Sequence, residues 1–497
     1  MTDATAATND TNAIAFCNIT EVIEAQAQRH PAALAIIVPE RVFSYSDLVG
    51  AVHAIGRKLL DSGVKPGQVL AISMAQTALH LLTLLAVARI GAVSVPAHAA
   101  LPRDRRLLAA RRFGACAIVS GRADMQLEGL PFISLADVDL KAPVTPLPAA
   151  QTRAVDPCWI SLSSGTSGDP KGVLRSHGYM LDRVDKSIYE RTPQSRLMPM
   201  DLNFGVGFGQ AMRMLVAGGA VVLAPDSLPA SFVYMVRAHA VTHWLLSPAW
   251  AEDILPLLTD DDIHFPSIVY LQIIGAQPSK RLLDALRKKF TPNVFTSYGT
   301  SEVGPVAVAT PEILDRAPSS VGKILPWVKA EIVDARKRRV AAGKSGRLRL
   351  KVESMFGAYH LDEQLSAERF HGGWYYPHDS ARIDAEGLLY IEGREDDVLN
   401  IGGGKVHFRD VETAIEAHPS VREAAVFTRP DASGRDALVA AVIVTQPVTV
   451  AELLAWASEK LGPICPEKLV LTDEFPRTAT GKVLRDQLAT LLAAKLA

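Results

Sequence analysis

Cysteine is scarce in this chain. Among 497 residues there are four, Cys17, Cys116, Cys158 and Cys465, and no two form a CxxC pair. That spacing excludes a zinc knuckle or a disulfide framework and suits a reducing compartment. Net charge is almost absent too: 52 Lys and Arg against 53 Asp and Glu leave −1, so no global field recruits nucleic acid or an anionic membrane. Long apolar runs are missing. The longest, "LLTLLAVARIGAV", carries Arg89 and stops short of a bilayer span. The N-terminal "MTDATAATNDTNAIAF" lacks the basic start and apolar run of a secretory signal. These absences predict a cytoplasmic protein that recognises its ligand through a local site.

What is present is globular, with 48% hydrophobic and 21% charged residues. The length exceeds one ordinary core, so a large domain with a smaller companion fits. From about residue 33 to 225, β-rich runs such as "ALAIIV" and "VLAISM" alternate with helical patterns such as "YSDLVGAVHAIGRKLLDSG", which starts at a serine and ends at Gly63. A second series follows: "AVVLA", "HWLLS" and "IVYLQIIG" read as strands, and "SKRLLDALRKKF" as a helix with Leu282, Leu283, Leu286 and Phe290 on one face. Alternation of this kind predicts α/β layers of largely parallel sheet. Two basic clusters read as solvated surface. Arg336, Lys337, Arg338 and Arg339 lie between "AEIVD" and "GRLRL", at a hairpin tip. Arg105, Arg106, Arg111 and Arg112 recur around Leu107 and Leu108 as the wet face of a helix.

The texture changes after residue 394. "REDDVLNIGGG" is a charged, glycine-rich crossing into helix-like "RDVETAIEAHPSV", strands "EAAVFT" and "ALVAAVIV", and helix-like "VAELLAWASEKLG". We therefore expect an α/β fold with a core domain over 1–394 and a small, mobile α+β domain over 395–497.

The stretch "SSGTSGDPKG" at 163–172 has the composition of a phosphate-wrapping loop. It is not a P-loop: counting from Gly165, Pro170 and Gly172 occupy positions that a P-loop gives to Gly and Ser/Thr, and "GVLRSH" behind it is β-type. The loop then joins two strands. Backbone N–H groups freed to turn inward by Gly165, Gly168 and Gly172 can form an anion-binding nest. Ser163, Ser164, Thr166 and Ser167 add hydroxyls, and Lys171 adds charge.

Further along stand "SYGTSEVG" at 297–304, "GGWYYPHDSARIDAEGLLYIEGREDDVLNIGGGKV" at 372–406 and "PRTATGKVLRDQL" at 476–488. Together with the loop, in this order, they resemble the acyl-adenylate-forming superfamily, which includes acyl-CoA synthetases, firefly-type luciferases and the adenylation domains of nonribosomal peptide synthetases. The resemblance is greatest to synthetases of the benzoate–CoA ligase type. It covers nearly the whole chain, from "FSYSDLVGA" to the C-terminal lysine motif.

The resemblance implies a two-step reaction in which a carboxylate attacks the α-phosphate of ATP and a thiol then displaces AMP. It gives the loop residues to the β- and γ-phosphates. It gives Tyr298, Gly299 and Thr300 to the nucleotide, Ser301 to the α-phosphate, and Glu302 with Thr166 to Mg²⁺, a hard ion that takes oxygen ligands. Asp379 and Arg394 match the ribose clamp, although Pro377 and His378 stand where the family usually has Thr-Gly; for His378 we expect packing rather than catalysis. Lys482 matches the lysine that bridges carboxylate and α-phosphate, as a cation between two anions must. Asp396 takes the hinge position and Gly403 the glycine that admits the pantetheine thiol, while Asn400 and Gly402 depart from the usual Lys and Arg.

The segment "NFGVGFGQAMRMLVAGGAVVLAP" at 203–225 matches the acyl-pocket wall, with Asn203, Phe204 and Gly205 at its start and Ser247 and Trp250 at the floor. Gly275 and Ala276 are expected to wall the adenine and acyl sites. Phe204 replaces the Asp that amino-acid-activating domains use to pair an ammonium, and Asp201 points elsewhere. The implied substrate is an aromatic or short hydrophobic carboxylic acid, with coenzyme A as acceptor or, alternatively, the phosphopantetheine of an acyl carrier protein acting in trans. A nonenzymatic nucleotide-binding role is disfavoured, since Lys171, Glu302, Asp379, Arg394 and Lys482 are all present. Either a monomer or a homodimer is compatible.

Overall fold

The computed structural model describes residues 16–496 except 143, 150, 164–170, 184, 185, 187, 188, 190, 259–264, 395–397, 402, 403, 431–435, 479 and 480. The protein is mixed α/β, with a large N-terminal and a smaller C-terminal domain.

In one N-terminal sheet, strands Phe132–Ser134, Ala115–Ser120, Val69–Ile72, Val93–Pro96 and Pro157–Ser163 are parallel neighbours, and Lys171–Ser176 closes the edge antiparallel. The loop over 164–170 thus joins two antiparallel strands, as read from the sequence. A second sheet has a parallel run of Leu34–Val38, Ala220–Val222, Arg196–Met198, His243–Leu246, Tyr270–Ile273 and Val294–Thr300. It continues antiparallel through Gly304–Ala309, Gly322–Ile324, Leu388–Arg394 and Asp379–Ile383. The parallel strands are apolar because helices cover both faces: every residue of His243–Leu246 is buried.

Local chemistry sets the helix ends. Ser44 caps Tyr45–Asp61 in a reciprocal capping box with Asp47, and Leu48, Val52, Ile55 and Leu59 turn inward at helical spacing. Helix Lys280–Lys289 buries Leu282, Leu283 and Leu286, with Phe290 next to them. Arg89, which interrupts the longest apolar run, ends helix Ala78–Arg89 and is buried against Glu24 at 2.5 Å. Among the described residues no helix is long and apolar enough to cross a membrane.

The tetrad Arg336–Arg339 lies between paired strands Lys329–Val333 and Gly346–Lys351, where Asp334 accepts from the backbone of Arg336 and Arg338. The other basic cluster differs from expectation. Arg106 is buried, and its Nη1 donates to Ser73 Oγ at 3.3 Å and Met125 O at 3.2 Å, whereas Leu108 is exposed. The helix turns by tertiary fit, so a long guanidinium reaches carbonyls that the sequence pattern cannot show.

The C-terminal domain pairs Val421–Pro430 with Asp436–Val444 antiparallel and adds Lys468–Leu471 in parallel. Helices Phe408–Glu416 and Val450–Leu461 share a core with that sheet through Val411, Ile415, Val426, Leu453 and Ala457.

Candidate functional site

Strand ends build the site. His243–Leu246, Tyr270–Ile273 and Val294–Thr300 run parallel, and ligands of open α/β sheets bind beyond the carboxyl ends of such strands. Ser247 follows the first, exposed Gly275 and Ala276 follow the second, and Tyr298, Gly299 and Thr300 finish the third. A bulge falls between Tyr298 and Gly299, a device that re-aims neighbouring side chains. Gly299 has no room for more than hydrogen, since a Cβ would stand 2.7 Å from Gly304 O. Ser301 and Glu302 occupy the turn that follows.

A second hairpin delivers Asp379 and Arg394. They face each other across the ladder of Asp379–Ile383 and Leu388–Arg394, with Arg394 Nε 3.9 Å from Asp379 Oδ1. The Tyr298 hydroxyl donates to Asp379 Oδ2 and ties the two hairpins together. Buried Glu302 accepts at Oε1 from the Tyr359 hydroxyl at 2.6 Å. Burial pushes the Asp379 carboxyl above its ordinary range, against the pull of Tyr298, Arg394 and Lys482. The Tyr298 phenol is driven up by burial and by the adjoining carboxylate.

Lys482 arrives from the C-terminal domain on a tight turn. Thr478 N–H donates to Lys482 O at 2.8 Å, Lys482 N–H donates to Thr478 Oγ1 at 3.1 Å, and Gly481 between them has φ +85°. Arg477 anchors the turn, pairing with Glu423 at 2.5 Å and donating to Gly481 O at 3.0 Å. The turn sits on Ser247: a Cβ on Gly481 would stand 3.1 Å from Ser247 Oγ. Lys482 is open to solvent while protein surrounds it, the condition of a side chain lining a cleft. Desolvation, then Arg394, hold its ammonium below the lysine range, and Asp379 and Glu302 pull the other way. Lys171, opposite Ser163 at its strand's start, is lowered by burial and then by Arg369, against Glu302. Lys171, Arg369, Arg394 and Lys482 therefore crowd around Glu302, Asp379 and Glu368 with positive charge in excess. Such a cleft is made to receive a polyanion.

The family model for AMP-binding enzymes matches residues 23–360, and that for the AMP-binding enzyme C-terminal domain matches residues 410–482. The chain belongs to the AMP-binding enzyme family. It is similar to an indoleacetate–CoA ligase of Aromatoleum aromaticum, 29% identical over 96% of this chain and 98% of that one. It is also similar to a 4-chlorobenzoate–CoA ligase of Arthrobacter sp, 27% identical over 96% of each. Among solved structures, the amide bond synthetase McbA from Marinactinospora thermotolerans matches with a TM-score of 0.85 and 25% identity, covering 95% of this chain and 99% of that one.

In this AMP-binding enzyme, other residues singled out in the sequence are placed as follows. Ser164, Gly165, Thr166, Ser167, Gly168, Asp396 and Gly403 lie outside the described residues. Gly172, expected to help the loop turn inward, instead packs in its strand: a Cβ there would meet Phe113 at 2.5 Å and Ile160 at 3.0 Å. At Gly205 a Cβ would likewise clash with Ser161 Oγ, so only glycine lets the start of helix Gly205–Val216 sit this close to the strand leading into the loop. Asn203 turns inward, donating to Asp201 Oδ1 at 2.8 Å and Met74 O at 3.4 Å. The Asp201 carboxylate is engaged by His98 at 3.0 Å, and its hydrogen bonds outweigh burial to hold its pKa at about 2. The Phe204 ring lies 6.1 Å from that of His98. Ser247 caps helix Pro248–Ile254, and Trp250 packs against Phe232, the rings tilted by 54°, beside a hydrophobic core.

His378 has φ +61° and lies 3.6 Å from Glu368. A left-handed backbone at this position explains why the family usually has glycine here. Sequence reasoning missed Tyr359, Arg175 and Arg183. Arg175 Nη1 donates to Glu302 O at 3.2 Å and Arg183 Nη2 to Val303 O at 2.9 Å, fixing the turn's backbone. None of the three sits in a motif with a spacing that could have marked it.

Proposed function

We propose that this enzyme activates a carboxylic acid, aromatic or short and hydrophobic, as an acyl-adenylate and passes the acyl group to coenzyme A. The acid's carboxylate oxygen bonds to the α-phosphorus of ATP while the bond to pyrophosphate breaks. The thiol sulfur then bonds to the acyl carbonyl carbon, its proton goes to solvent, and AMP leaves.

One observation carries the reading. A lysine from the C-terminal domain stands among Asp379, Arg394 and Glu302 of the N-terminal domain, where it can screen two approaching anions. Lys171 and the adjoining loop are assigned to the β- and γ-phosphates. Asp379 and Arg394 hold the ribose hydroxyls, with the Tyr298 ring against adenine and its hydroxyl orienting Asp379. Ser301 and Thr300 hydroxyls serve the α-phosphate. Glu302 suits Mg²⁺: it is a buried carboxylate with a donor only on Oε1, among described residues that offer no cluster of three or more metal-binding side chains. Glu302 would hold the ion, which would supply positive charge to offset that of the phosphates. For the second step we assign domain rotation about Asp396, withdrawing Lys482 and bringing Gly403 to the thiol.

Phe204 and the similarity to ligases of aromatic acids support an uncharged acyl pocket entrance. The test is ATP-dependent pyrophosphate release across a panel of carboxylic acids, followed by thioester formation with coenzyme A or a phosphopantetheinylated carrier protein. Thioester with coenzyme A is the expected outcome. An adenylate that transfers to no coenzyme A under any condition would overturn the assignment.

A further inference from the structure

The turn that carries Lys482 is seated on one helix of the N-terminal domain. A Cβ on Gly481 would stand 3.1 Å from Ser247 Oγ and 3.7 Å from the Cβ of Ala249, so helix Pro248–Ile254 turns the face bearing Ala249 to the C-terminal domain. Residues three apart share a helix face, which puts Glu252 beside Ala249 on that same side. The Glu252 side chain is only 13% exposed, and its carboxylate is paired with Arg281 of helix Lys280–Lys289.

The C-terminal domain meets this face with the start of strand Val421–Pro430. In its pairing with Asp436–Val444, Val421 faces Val444 and Glu423 faces Ile443, so Arg422 is an extra residue in a bulge. A bulge re-aims side chains, and here both Arg422 and Glu423 act on Glu252 across the domain boundary. Burial raises the Glu252 carboxyl, Arg281 and then Arg422 draw it down, and Glu423 pushes it up. The repelling carboxylate is matched within its own domain. Arg477 holds Glu423 through Nη1 at 3.0 Å and Nη2 at 2.5 Å, and the same Nη1 donates to Gly481 O at 3.0 Å. Arg422 is left as the attraction between the domains, one residue away from the ion pair that anchors the Lys482 turn.

We infer that Glu252 and Arg422 form an electrostatic latch between the domains, which holds the C-terminal domain in the orientation that brings Lys482 to Asp379. Glu252 is thus a positioning residue for adenylation: it acts through the seat of the Lys482 turn and touches no reacting atom. The inference rests on the adenylation reading above and adds the contact that sets how much of the time Lys482 is in place. The latch has to open for the second step. Exposed ion pairs contribute little and buried ones more, so this partly buried pair biases the orientation by roughly five- to tenfold and leaves rotation possible.

The experiment takes full-length Arg422→Met, Glu252→Gln and the double variant through both half-reactions. Pyrophosphate release is read as kcat/KM across the acid panel, benzoate, phenylacetate and cinnamate included; thioester formation is read with synthetic benzoyl-adenylate and coenzyme A. Docking of the turn is read without nucleotide, as amide hydrogen exchange in the peptides containing Ala249 and Gly481. Each single variant is expected to lower adenylation by roughly five- to tenfold and the double variant no further, because both changes break one contact. Arg422→Lys should keep most of the rate, since it keeps the charge. In Arg422→Met, exchange at the two peptides should quicken at an unchanged urea midpoint, and thioester formation should hold or rise. Losses that add in the double variant, equal losses in both half-reactions, or no loss at all would overturn the latch and leave the adenylation reading standing. Faster exchange in Arg422→Met, with no pyrophosphate released by the wild type from any acid, would sustain the latch and overturn adenylation. Unchanged exchange and no pyrophosphate would overturn both.

Discussion

Replacing Lys482 with alanine separates the two chemical steps. Lys171 and Lys482 both act on Arg394 and Glu302, with Arg369 and Glu368 near the first and Asp379 near the second, four cations to three carboxylates. Deleting Lys482 brings cations and carboxylates level, so the cleft loses its surplus attraction for triphosphate and the ammonium that the C-terminal turn brings to Asp379. Removing one preorganised electrostatic stabiliser typically costs about 10²–10³ in rate, roughly 3–4 kcal/mol of barrier. We expect acid-dependent pyrophosphate release to fall by that factor, while thioester formation from a synthetic acyl-adenylate keeps its rate. The wild-type pH profile gives a second reading. Because the Lys482 ammonium is held below the ordinary lysine range, its charge is lost earlier as pH rises, and the alkaline fall of adenylation kcat/KM should lie below that range. Lys482→Arg should move the fall upward, since guanidinium keeps its proton. Equal losses in both half-reactions of Lys482→Ala, or an alkaline limb that Lys482→Arg leaves in place, would refute the reasoning.

Tyr359→Phe removes the 2.6 Å donor from buried Glu302; leaving a buried acceptor unpaired costs about 1–3 kcal/mol. Urea unfolding at neutral pH should show that loss, and an unchanged midpoint would mean the bond contributes nothing. His378, at φ +61°, occupies a backbone conformation that penalises side chains by about 1–2 kcal/mol. His378→Gly should therefore be more stable than His378→Ala by about 1 kcal/mol, since both lose the imidazole and only glycine relieves the strain. Equal thermal stability of the two would place the strain elsewhere.

Much of the protein was legible without coordinates, for reasons of range. The hairpin around the glycine-rich loop, the capped helix after Ser44 and the buried face of Lys280–Lys289 follow from turn chemistry and periodicity within a few residues. Lys171, Glu302, Asp379, Arg394 and Lys482 could be named because each stands in a short motif that resembles the acyl-adenylate-forming superfamily; without that resemblance Lys482 reads as an ordinary surface lysine. By contrast, Arg106 and Gly172 were misread because their roles depend on distant partners, Met125 for the first and Phe113 for the second. Tyr359 joins Glu302, and Arg175 holds the Glu302 carbonyl, across wide gaps in sequence that no local pattern records.

The sequence by itself determined the layered α/β class, the identity of the charged groups and their order along the chain, since these depend on composition and on contacts between near neighbours. Only the tertiary structure decided that Lys482 faces Asp379 from another domain, that Asn203 turns inward, and that Arg175 and Arg183 hold the turn carrying Glu302. Those arrangements come from packing whole sheets and helices against one another, which sets the distance between residues far apart in the chain.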